Sequence, residues 1–494
     1  MKIFRPLFGA ALCTASSFAI AANFTVTTLA DSGAGSLRNA IAQANATTAA
    51  DTIVFQNGLT GTISLLAGEL VITQNIAING PGADRITLDG RGASRVFRFD
   101  NPTGEARSWS LSGLSVTGGL ANQSGNDNGG GLFYETPAFS SVKPAITLAN
   151  MAFVGNEAAR NGGAVYVSGA DLTINDATVL DNKVRNGFQP SGGGLYFNRG
   201  TVRIERCWIG GNTAELSGGG VALTSPGVNA VVSDTLIQDN QASLSGAGMQ
   251  AGTMSSLKIS RSAFVSNTLT SQPEGAGLDF AGVTDPGSAE NVIENTTFSG
   301  NVALNQAGRG SAVAVAQGNL TVRNSTIAYN QTAPNLAPDA NGGGALWVAN
   351  GNSTRVTVQS TLFVGNTHGN TQLPKDLARL SGGSPGSTLA VDHSAFPVLP
   401  TSGVITAFGS GNLEVDAQLQ PLSFAQGGLT PVHPLAKTSP VIDMGSNPGN
   451  LTTDQRGNGF TRGWSDPNNR NGAVDIGAYE VRADALFFGD FEQH

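Results

Sequence analysis

The amino-acid sequence predicts an all-β solenoid, in which short strands joined by corners form a stack of similar coils. One motif, an apolar residue followed by two spacers and an asparagine, recurs eight times at spacings of 26 to 36 residues. Glycine is abundant, at 66 of 494 residues, whereas only 13% of the residues are charged. Fixed anchor positions separated by variable loops are typical of repeats that pack only on their neighbours. The eight asparagines are Asn156, Asn182, Asn212, Asn240, Asn267, Asn301, Asn330 and Asn366.

The first residues predict a secretory signal peptide over residues 1–22. Lys2 and Arg5 precede an apolar stretch from residue 7 to residue 20, and a small-x-small cleavage site follows. A membrane anchor is disfavoured because this stretch is short and contains hydroxyl side chains. We therefore expect an exported protein, extracellular or at the cell surface in association with the outer membrane, with no transmembrane span in the mature chain. Its single remaining cysteine, Cys207, is expected to be a buried thiol.

Residues 23–60 are predicted to cap the amino-terminal end of the solenoid. Leu37, Ala40, Ile41 and Ala44 form a short amphipathic stripe with helical spacing, and Ser36 is placed as the N-cap. The first coil of a solenoid has an uncovered edge and an uncovered core, and a helix at this end protects both. The sequence therefore predicts one short helix before the coils.

Residues 61–380 are predicted to form the coils, which consist of β-strands. Short bursts of alternating apolar residues, such as 172–174, 202–204 and 320–322, are rich in β-branched side chains and are bounded by Gly, Asn, Asp or Ser. No window of the repeat region keeps a helical stripe of apolar residues over the length of a helix.

The recurring asparagine is expected to occupy an inward-facing corner of each coil. Phe264 and Asn267 are three residues apart, so on a continuous strand they would point to opposite faces. Both can face the interior only if the chain turns between them. Asparagine suits this corner because it tolerates left-handed backbone angles, and equivalent amides in stacked coils can hydrogen-bond as a ladder. The eight asparagines are therefore predicted to be structural, and no catalytic residue is predicted.

Glycine clusters mark a second corner in each coil. Gly162 and Gly163 are one such pair, and similar clusters follow most of the other recurring asparagines. Glycine permits positive φ and a close approach of neighbouring backbones. Loop insertions fall between the asparagine and the glycines, so we expect them to decorate one side of the rod. A leucine-rich repeat also uses asparagine ladders, but it needs leucines at fixed intervals, which these repeats lack.

The repeats resemble those of chlamydial-type polymorphic outer-membrane proteins, which carry Phe-x-x-Asn and Gly-Gly-Ala-aliphatic motifs. That resemblance covers roughly residues 110–370, and it implies a single-stranded right-handed parallel β-helix and a role in adhesion. The matching segments are Phe153-Val-Gly-Asn156, Phe264-Val-Ser-Asn267, Phe298-Ser-Gly-Asn301, Phe363-Val-Gly-Asn366, Gly162-Gly-Ala-Val165 and Gly343-Gly-Ala-Leu346.

The flanking regions resemble a related group of exported bacterial β-helix proteins. Residues 24–41 and 51–55 are similar to the opening of CSLREA-type proteins. Residues 439–445, 453–457 and 472–480 resemble the choice-of-anchor Q domain, which implies a small module over 438–482. An irregular segment over 381–437 is expected to connect this module to the coils, and a short tail over 483–494 ends the chain.

Candidate catalytic and metal-binding residues are few and scattered. Pectin-hydrolase motifs are absent, and Asp392 with His393, which weakly resembles a lyase motif, is expected in a surface turn. Asp127 and Asp339 lie beside Asn and Gly runs that could hold calcium, although turn chemistry explains them more simply and no cofactor is predicted. The same preference for turns applies to the remaining acids at loop edges, Asp181, Asp239, Asp279 and Asp285, and to the module's Asp443 and Asp475.

The sequence favours a non-catalytic function, in which an extended surface is presented to a glycan, a matrix or another cell. The net charge of −8 and the lack of a basic cluster make nucleic acid and anionic membranes poor partners. The alternative is a polysaccharide lyase or hydrolase, because such enzymes also use parallel β-helices. An enzyme should bring three or more acidic or basic groups together in one groove along the coils, and no strip of sugar-stacking aromatics is evident. The oligomeric state stays open.

Overall fold

The computed structural model of the protein describes residues 20–123, 125, 127–137, 142–271, 274–282, 291–304, 308–334, 343–350, 354–370, 372–380, 386–401, 403–424, 426–463 and 474–481. These residues form a right-handed parallel β-solenoid of about 12 turns with one short helix, which confirms the predicted fold class. With coils about 4.8 Å apart, the rod is roughly 60 Å long. The predicted tail and residues 1–19 of the predicted signal peptide lie outside the described residues.

Each regular coil passes through four sheets, numbered 1 to 4 in the order in which the chain enters them. Sheet 1 contains Asn23–Val26, Asp51–Phe55, Ile76–Asn79, Ser108–Ser112, Ala145–Ala149, Asp171–Asn175, Gly200–Glu205, Val228–Ser233, Ser256–Ser260, Val292–Glu294, Asn319–Arg323, Arg355–Gln359, Thr388–Asp392 and Ala407–Phe408. Sheet 2 contains Gly61–Ser64, Ile86–Asp89, Ser115–Thr117, Ala152–Val154, Thr178–Leu180, Trp208–Gly210, Leu236–Gln238, Ala263–Val265, Thr297–Ser299, Thr326–Ala328, Leu362–Val364, Ala395–Phe396 and Leu413–Glu414.

Sheets 3 and 4 complete the coil, and every described strand pair is parallel except the last pair of sheet 3. Sheet 3 contains Leu120–Ala121, Glu157–Ala158, Lys183–Val184, Thr213–Ala214, Gln241–Ala242, Thr268–Leu269, Val302–Ala303, Gln331–Thr332, Thr367–His368 and Leu373–Pro374. Sheet 4 contains Leu70–Ile72, Phe97–Phe99, Leu132–Glu135, Val165–Ser168, Leu195–Asn198, Val221–Leu223, Met249–Met254, Leu278–Gly282, Val313–Gln317, Leu346–Val348 and Leu377–Arg379.

The core lies inside the coils, where alternate residues of sheets 1, 2 and 4 point inward. Phe264 and Phe298, the apolar residues of two asparagine motifs, are fully buried and stack with their ring centroids 4.7 Å apart. Cys207 is also buried in this core. Because each apolar residue packs on the equivalent residue of the next coil, the interior is continuous from the first turns to the last.

A helix at Leu37–Asn45 covers the amino-terminal end of the rod, as predicted. Ser36 is its N-cap, and the Ser36 hydroxyl accepts a hydrogen bond from the backbone N–H of Asn39 at 3.2 Å. The buried residues of the helix pack against the first strands of sheets 1 and 4. The helix therefore shields apolar side chains that a bare terminal coil would expose.

The coils extend beyond the range predicted for them. Strands of sheet 1 already begin at Asn23, and the last strand of sheet 2 ends at Glu414, so the predicted range of 61–380 is too narrow at both ends. The segment 381–437 is not an irregular connection throughout, because residues 388–414 contribute the final strands of sheets 1 and 2.

The chain after Glu414 folds back along the rod and packs on the outer face of sheet 2. The Thr297 hydroxyl donates to Gln455 Oε1 at 2.6 Å, and the Ala478 N–H donates to Thr326 Oγ1 at 3.0 Å. Thr297 and Thr326 are buried although their side chains point out of the coil, whereas Trp208, outward on the same sheet, is 43% exposed. The C-terminal segment, residues 415–481, thus covers the later coils of sheet 2 with its described residues, 415–424, 426–463 and 474–481.

Buried charges hold the C-terminal segment together. Arg456 pairs with Asp454 at 2.6 Å, and its guanidinium lies between the rings of Phe460 and Tyr479, at 4.1 and 4.0 Å from their centroids. Asp475 accepts hydrogen bonds from the backbone N–H groups of Asp443 and Val481, so it organises local backbone. Among the described residues, no helix is both long and apolar enough to cross a membrane.

Candidate functional site

The eight recurring asparagines lie inside the corner between sheets 2 and 3, where all are buried. Asn156 Nδ2 donates to Asn182 Oδ1 at 3.0 Å and to the carbonyl oxygen of Val116 at 3.0 Å. The amide-to-amide bond repeats from coil to coil at 2.9 to 3.0 Å, and the last amide, that of Asn366, donates to Asp376 Oδ1 at 2.8 Å. Because both amide hydrogens are used inside the rod, this ladder supports the fold and is not available to a ligand.

The left-handed backbone at this corner belongs to the residue before each asparagine, which differs from our expectation. The preceding residue has positive φ in every coil of the ladder, for example 65° at Gly155, 56° at Asp181 and 54° at Asp239. The asparagine itself keeps negative φ, so its side chain stays inside. The turn assignment of Asp181 and Asp239 agrees with this geometry, since Asp tolerates left-handed angles better than most residues.

The remaining single candidates do not assemble into a site. Asp392 ends a regular strand of sheet 1, and His393, with a φ of 44°, lies in the turn that follows. Asp392 Oδ2 lies 2.8 Å from His393 Nδ1. Asp285 and Asp339 lie outside the described residues, whereas Asp127 is described. Within the described ranges, no group of three or more His, Cys, Asp or Glu side chains could hold a metal ion.

The connections on the two sides of sheet 4 vary in length, and between sheet 4 and sheet 1 they shorten to one or two residues at 169–170, 199, 255 and 318. In the regular coils, two-residue corners such as 150–151 and 155–156 join sheet 1 to sheet 2 and sheet 2 to sheet 3. By contrast, residues 185–194 connect sheet 3 to sheet 4, and residues 100–107 and 224–227 connect sheet 4 to sheet 1. The outer face of sheet 4, with the longer of these connections along its edges, is here called the sheet 4 groove.

One outward-facing residue from each strand of sheet 4 contributes to a row along the groove floor. These residues are paired in register between neighbouring strands, and most occupy the middle of the apolar-x-apolar triplet that follows a glycine cluster. In order along the rod, the row is Val71, Arg98, Phe133, Tyr166, Tyr196, Ala222, Gln250, Asp279, Ala314, Trp347 and Ala378.

The amino-terminal part of this row is aromatic, although no aromatic strip was expected. Phe133, Tyr166 and Tyr196 stack with ring centroids 5.3 and 5.1 Å apart, and the Arg95 guanidinium lies 4.6 Å from the Phe133 ring centroid. Each ring therefore covers a face of the next, and Tyr166 is only 6% exposed. Stacking of this kind stabilises the sheet. The Tyr166 hydroxyl donates to Glu135 Oε1 at 3.4 Å, and the Tyr196 hydroxyl accepts from Thr224 Oγ1 at 2.7 Å.

A second row of residues borders the groove where the chain enters sheet 4. In the sixth and seventh members of this row, Arg309 Nη1 pairs with Glu274 Oε1 at 2.9 Å, and the Arg309 guanidinium lies 5.1 Å from the centroid of the Trp347 ring. The row consists of Asn128, Asn161, Ser191, Ser217, Ser245, Glu274, Arg309 and Gly343.

Asp279 lies on the groove floor beside this ion pair and not in a turn, contrary to our expectation. It belongs to the strand Leu278–Gly282, and its partners in the row are Gln250 and Ala314. Burial, together with the negative charge of Glu274, raises the pKa of Asp279 to about 7, and a hydrogen bond with Ser245 acts in the opposite direction. These surroundings therefore favour the protonated form of the Asp279 carboxyl over the ionised form.

Several polar atoms of the groove floor are buried without a hydrogen-bond partner among the described residues. They are Gln250 Oε1, Asp279 Oδ1 and Trp347 Nε1 in the row, and Asn198 Oδ1 two residues beyond Tyr196 on the same strand. A buried polar group without a partner costs about 1–3 kcal/mol, so these atoms are candidates for hydrogen bonds to a ligand or to water. Similar atoms occur elsewhere in the described residues, for example Asn295 Oδ1 and Ser311 Oγ. The sequence contains one usable sign of this row, the polar or aromatic middle residue of each triplet, and that sign was not recognised.

Comparisons with known proteins give the class of fold to which this architecture corresponds. Residues 164–373 match the family model described as the right handed beta helix region. No curated protein matches the chain.

Solved structures share the architecture at low similarity. One is a mannuronic-acid-specific polysaccharide family 6 lyase from human gut microbiota, at 11% identity and a TM-score of 0.31, covering 77% of this chain and 88% of that chain. The A-module of a mannuronan C-5 epimerase from Azotobacter vinelandii is 15% identical with a TM-score of 0.34, over 76% and 100%. An alginate lyase is 14% identical with a TM-score of 0.39, over 86% and 92%. Similarities this distant do not identify what the present chain binds or catalyses.

Proposed function

We propose that this protein is an exported, rod-shaped protein that binds an extended glycan along the sheet 4 groove. The observation that carries the proposal is the set of buried, unpartnered polar atoms on the groove floor. These atoms are distributed from the strand Leu195–Asn198 to the strand Leu346–Val348, a distance of five coil steps or roughly 24 Å. A ligand that reaches all of them is long and carries hydrogen-bonding groups at intervals.

A polysaccharide has these properties, because each sugar unit carries several hydroxyl groups that donate and accept. The row offers both acceptors, such as Gln250 Oε1, and a donor, Trp347 Nε1. Nucleic acid is also long and polar, but the chain has a net charge of −8 and no basic cluster to neutralise phosphates. The glycan proposal therefore fits the length, the polarity and the charge of the groove.

The other broad faces of the rod are less suited to such a ligand. The C-terminal segment covers the later coils of sheet 2. On the outer face of sheet 1, charged side chains pair with each other, as Lys258 and Arg323 do with Glu294 at 2.9 and 2.7 Å. Charged groups that already pair with each other gain little when a ligand binds, so they contribute little to its affinity.

Export and surface location are part of the same proposal. They are supported by the signal-peptide pattern of residues 1–22 and by the resemblance of the repeats and flanks to polymorphic outer-membrane, CSLREA-type and choice-of-anchor Q proteins. In this setting the bound glycan would belong to a matrix or to another cell, and the protein would act in adhesion.

Affinity electrophoresis of the mature chain through gels containing single polysaccharides tests the binding proposal. Gln250→Ala should weaken retention by tenfold or more, because it removes an acceptor from the groove floor. Gln359→Ala is the matched control, since Gln359 points outward from sheet 1, and it should leave retention unchanged. Equal retention of both variants, or no retention in any gel, would contradict the proposal.

A second candidate function is cleavage of the bound glycan. It is favoured by one observation, the convergence of Asp279, Glu274 and Arg309 on neighbouring rungs of one groove. We expected an enzyme, and not a purely adhesive surface, to bring three such groups together in one groove.

A further inference from the structure

We propose that the sheet 4 groove hydrolyses an uncharged polysaccharide, with Asp279 as the proton donor and Glu274 as the group that accepts a proton from water. The inference rests on the proposed glycan binding, since it assigns a reaction to a glycan already held in the groove. It gives Asp279 and Glu274 roles in proton transfer, which glycan binding alone would not require.

The two carboxyl groups are brought together by the path of a single coil. Glu274 borders the groove, the left-handed Gly275 turns the chain with a φ of 67°, and Asp279 then points outward from the first strand of sheet 4 that follows. Ser245, in the preceding coil, is aligned with Glu274 and hydrogen-bonds with Asp279. One oxygen of Asp279 is left buried and without a partner among the described residues.

A second side chain in this part of the groove also has a buried polar atom without a partner among the described residues. Trp347, two rungs further along the same row, is 2% exposed, yet its Nε1 donor is unpartnered within the described part of the chain. The Arg309 guanidinium lies 5.1 Å from the Trp347 ring centroid and pairs with Glu274 at 2.9 Å. Asp279, Glu274, Arg309 and Trp347 therefore form one contiguous site.

The two carboxyl groups have different surroundings, as acid–base catalysis requires. Burial and the charge of Glu274 raise the pKa of Asp279 to about 7. Glu274 is ion-paired with Arg309 at 2.9 Å. Glycoside hydrolases use such pairs, with one carboxylic acid and one carboxylate flanking the bond that breaks.

In the proposed reaction, the Asp279 carboxyl donates its proton to the glycosidic oxygen while the bond from that oxygen to the anomeric carbon breaks. A water molecule from the solvent forms the new bond to the anomeric carbon, and the Glu274 carboxylate accepts the proton that the water releases. One water is consumed and two chain ends with free hydroxyl groups result. Proton exchange with solvent then returns both carboxyls to their starting states, so no oxidant or reductant is required.

The charge of the site favours an uncharged sugar chain. Among the described residues beside Asp279, the cation is Arg309, and it is already engaged by Glu274 and Trp347. A uronate carboxylate placed here would meet Glu274 without a free positive partner. Since the whole chain also carries a net charge of −8, an acidic polysaccharide would be repelled.

The experiment uses the mature full chain with three soluble neutral polysaccharides: galactomannan, xyloglucan and mixed-linkage β-glucan. Retention in affinity gels and release of reducing ends are measured on the same samples. We expect the unaltered protein to release reducing ends from a polysaccharide that it retains, with activity falling as the pH rises above about 7. Asp279→Asn should lower the rate by at least a hundredfold while retention persists.

Asp239→Asn is the matched control, because burial also raises the pKa of Asp239 but this residue lies at the corner between sheets 2 and 3. Its activity should equal that of the unaltered protein. Carbon-13 NMR titration gives a readout that does not depend on activity: Glu274→Gln should lower the pKa of Asp279, since it removes the neighbouring negative charge.

The outcomes separate the two proposals. Retention without any release of reducing ends overturns hydrolysis and leaves glycan binding standing. Loss of retention in Asp279→Asn reduces Asp279 to a binding contact, which also overturns hydrolysis. If none of the three polysaccharides is retained, glycan binding to this class fails, and the hydrolysis that rests on it fails too.

Discussion

Single residues have sharply divided roles in this rod. The corner asparagines use both amide hydrogens on neighbouring coils and on backbone carbonyls, as Asn240 does with Asn267 and Ile209. The middle residues of the sheet 4 triplets instead point outward, and several of their polar atoms have no partner among the described residues. Residues that support the fold and residues of the candidate site thus alternate along the chain, because neighbouring residues of a strand face opposite sides of a sheet.

The asparagine ladder can be tested at a central rung with Asn240→Ala. The substitution removes the Oδ1 that accepts hydrogen bonds from Asn212 Nδ2 and the Asn212 backbone N–H, and it removes the donor to the Ile209 carbonyl. We expect the free energy of unfolding to fall by about 1–3 kcal/mol, measured by urea denaturation.

Asn229→Ala serves as the control, because Asn229 is an exposed residue of sheet 1. It should change the free energy of unfolding by less than about 0.5 kcal/mol. Equal effects of the two substitutions would show that the ladder bonds add nothing beyond surface contacts.

At the scale of elements, local patterns predicted the strands, the corners and the capping helix. The alternation of apolar residues and the spacing of the asparagines are set by contacts within one coil and its neighbours, so they are visible in the sequence. The sequence did not reveal which corner residue has positive φ. That residue is the one before each asparagine, and Gly, Asp, Ser and Tyr all occur there.

The packing of the C-terminal segment and the position of the candidate site could not be predicted from local sequence patterns. Thr297 and Gln455 are 158 residues apart, and no periodicity connects them. The sequence places Asp279 among the acids at loop edges, and only the register of sheet 4 shows that it faces outward beside Gln250. Long-range pairing and side-chain direction therefore account for most of what the sequence did not reveal.

The C-terminal segment should respond to pH through two buried carboxyls. Burial raises the pKa of Asp475 to about 6, and burial with the charge of Asp475 raises that of Glu480 to about 8. Because both values exceed those of the unfolded chain, the folded segment is most stable when these groups are protonated, and stability falls as the pH rises from about 4 to 8.

Hydrogen exchange at the backbone N–H groups of Ala478 and Glu480, corrected for intrinsic rates, measures this effect. The local opening free energy should be lower at pH 8.5 than at pH 5 by more than about 1 kcal/mol. In Glu480→Gln the difference should shrink, since one of the two titrating groups is gone. Opening that becomes harder at high pH would reverse the assigned direction.

For the whole molecule, the faces of the rod differ in how they are covered. Sheet 2 is partly buried under the C-terminal segment, sheet 1 carries paired charges, and sheet 4 forms a groove bordered by connections. Leu362 and Ala328 on sheet 2 are buried although they point out of the coil. The fold-back therefore shields an apolar strip that would otherwise meet solvent.

Truncation after Glu414 tests this shielding. We expect the shortened chain to keep its strand-rich circular dichroism spectrum, because the coils retain their own core. Its mass by light scattering should exceed that of a single chain and rise with concentration, because the uncovered apolar strip of sheet 2 promotes association. A truncated protein with the same association behaviour as the full chain would show that the segment covers no adhesive surface.

The ladder also bears on how such a protein changes over evolutionary time. The ladder bonds of a rung are made within its own turn or to the turns directly above and below, so duplicating one complete turn recreates them at the new junction. Gene segments encoding single turns could thus be gained or lost with the interior intact, each adding or removing one step of about 4.8 Å from the groove. The length of polymer that the groove can contact would then be set by the number of turns that the gene encodes.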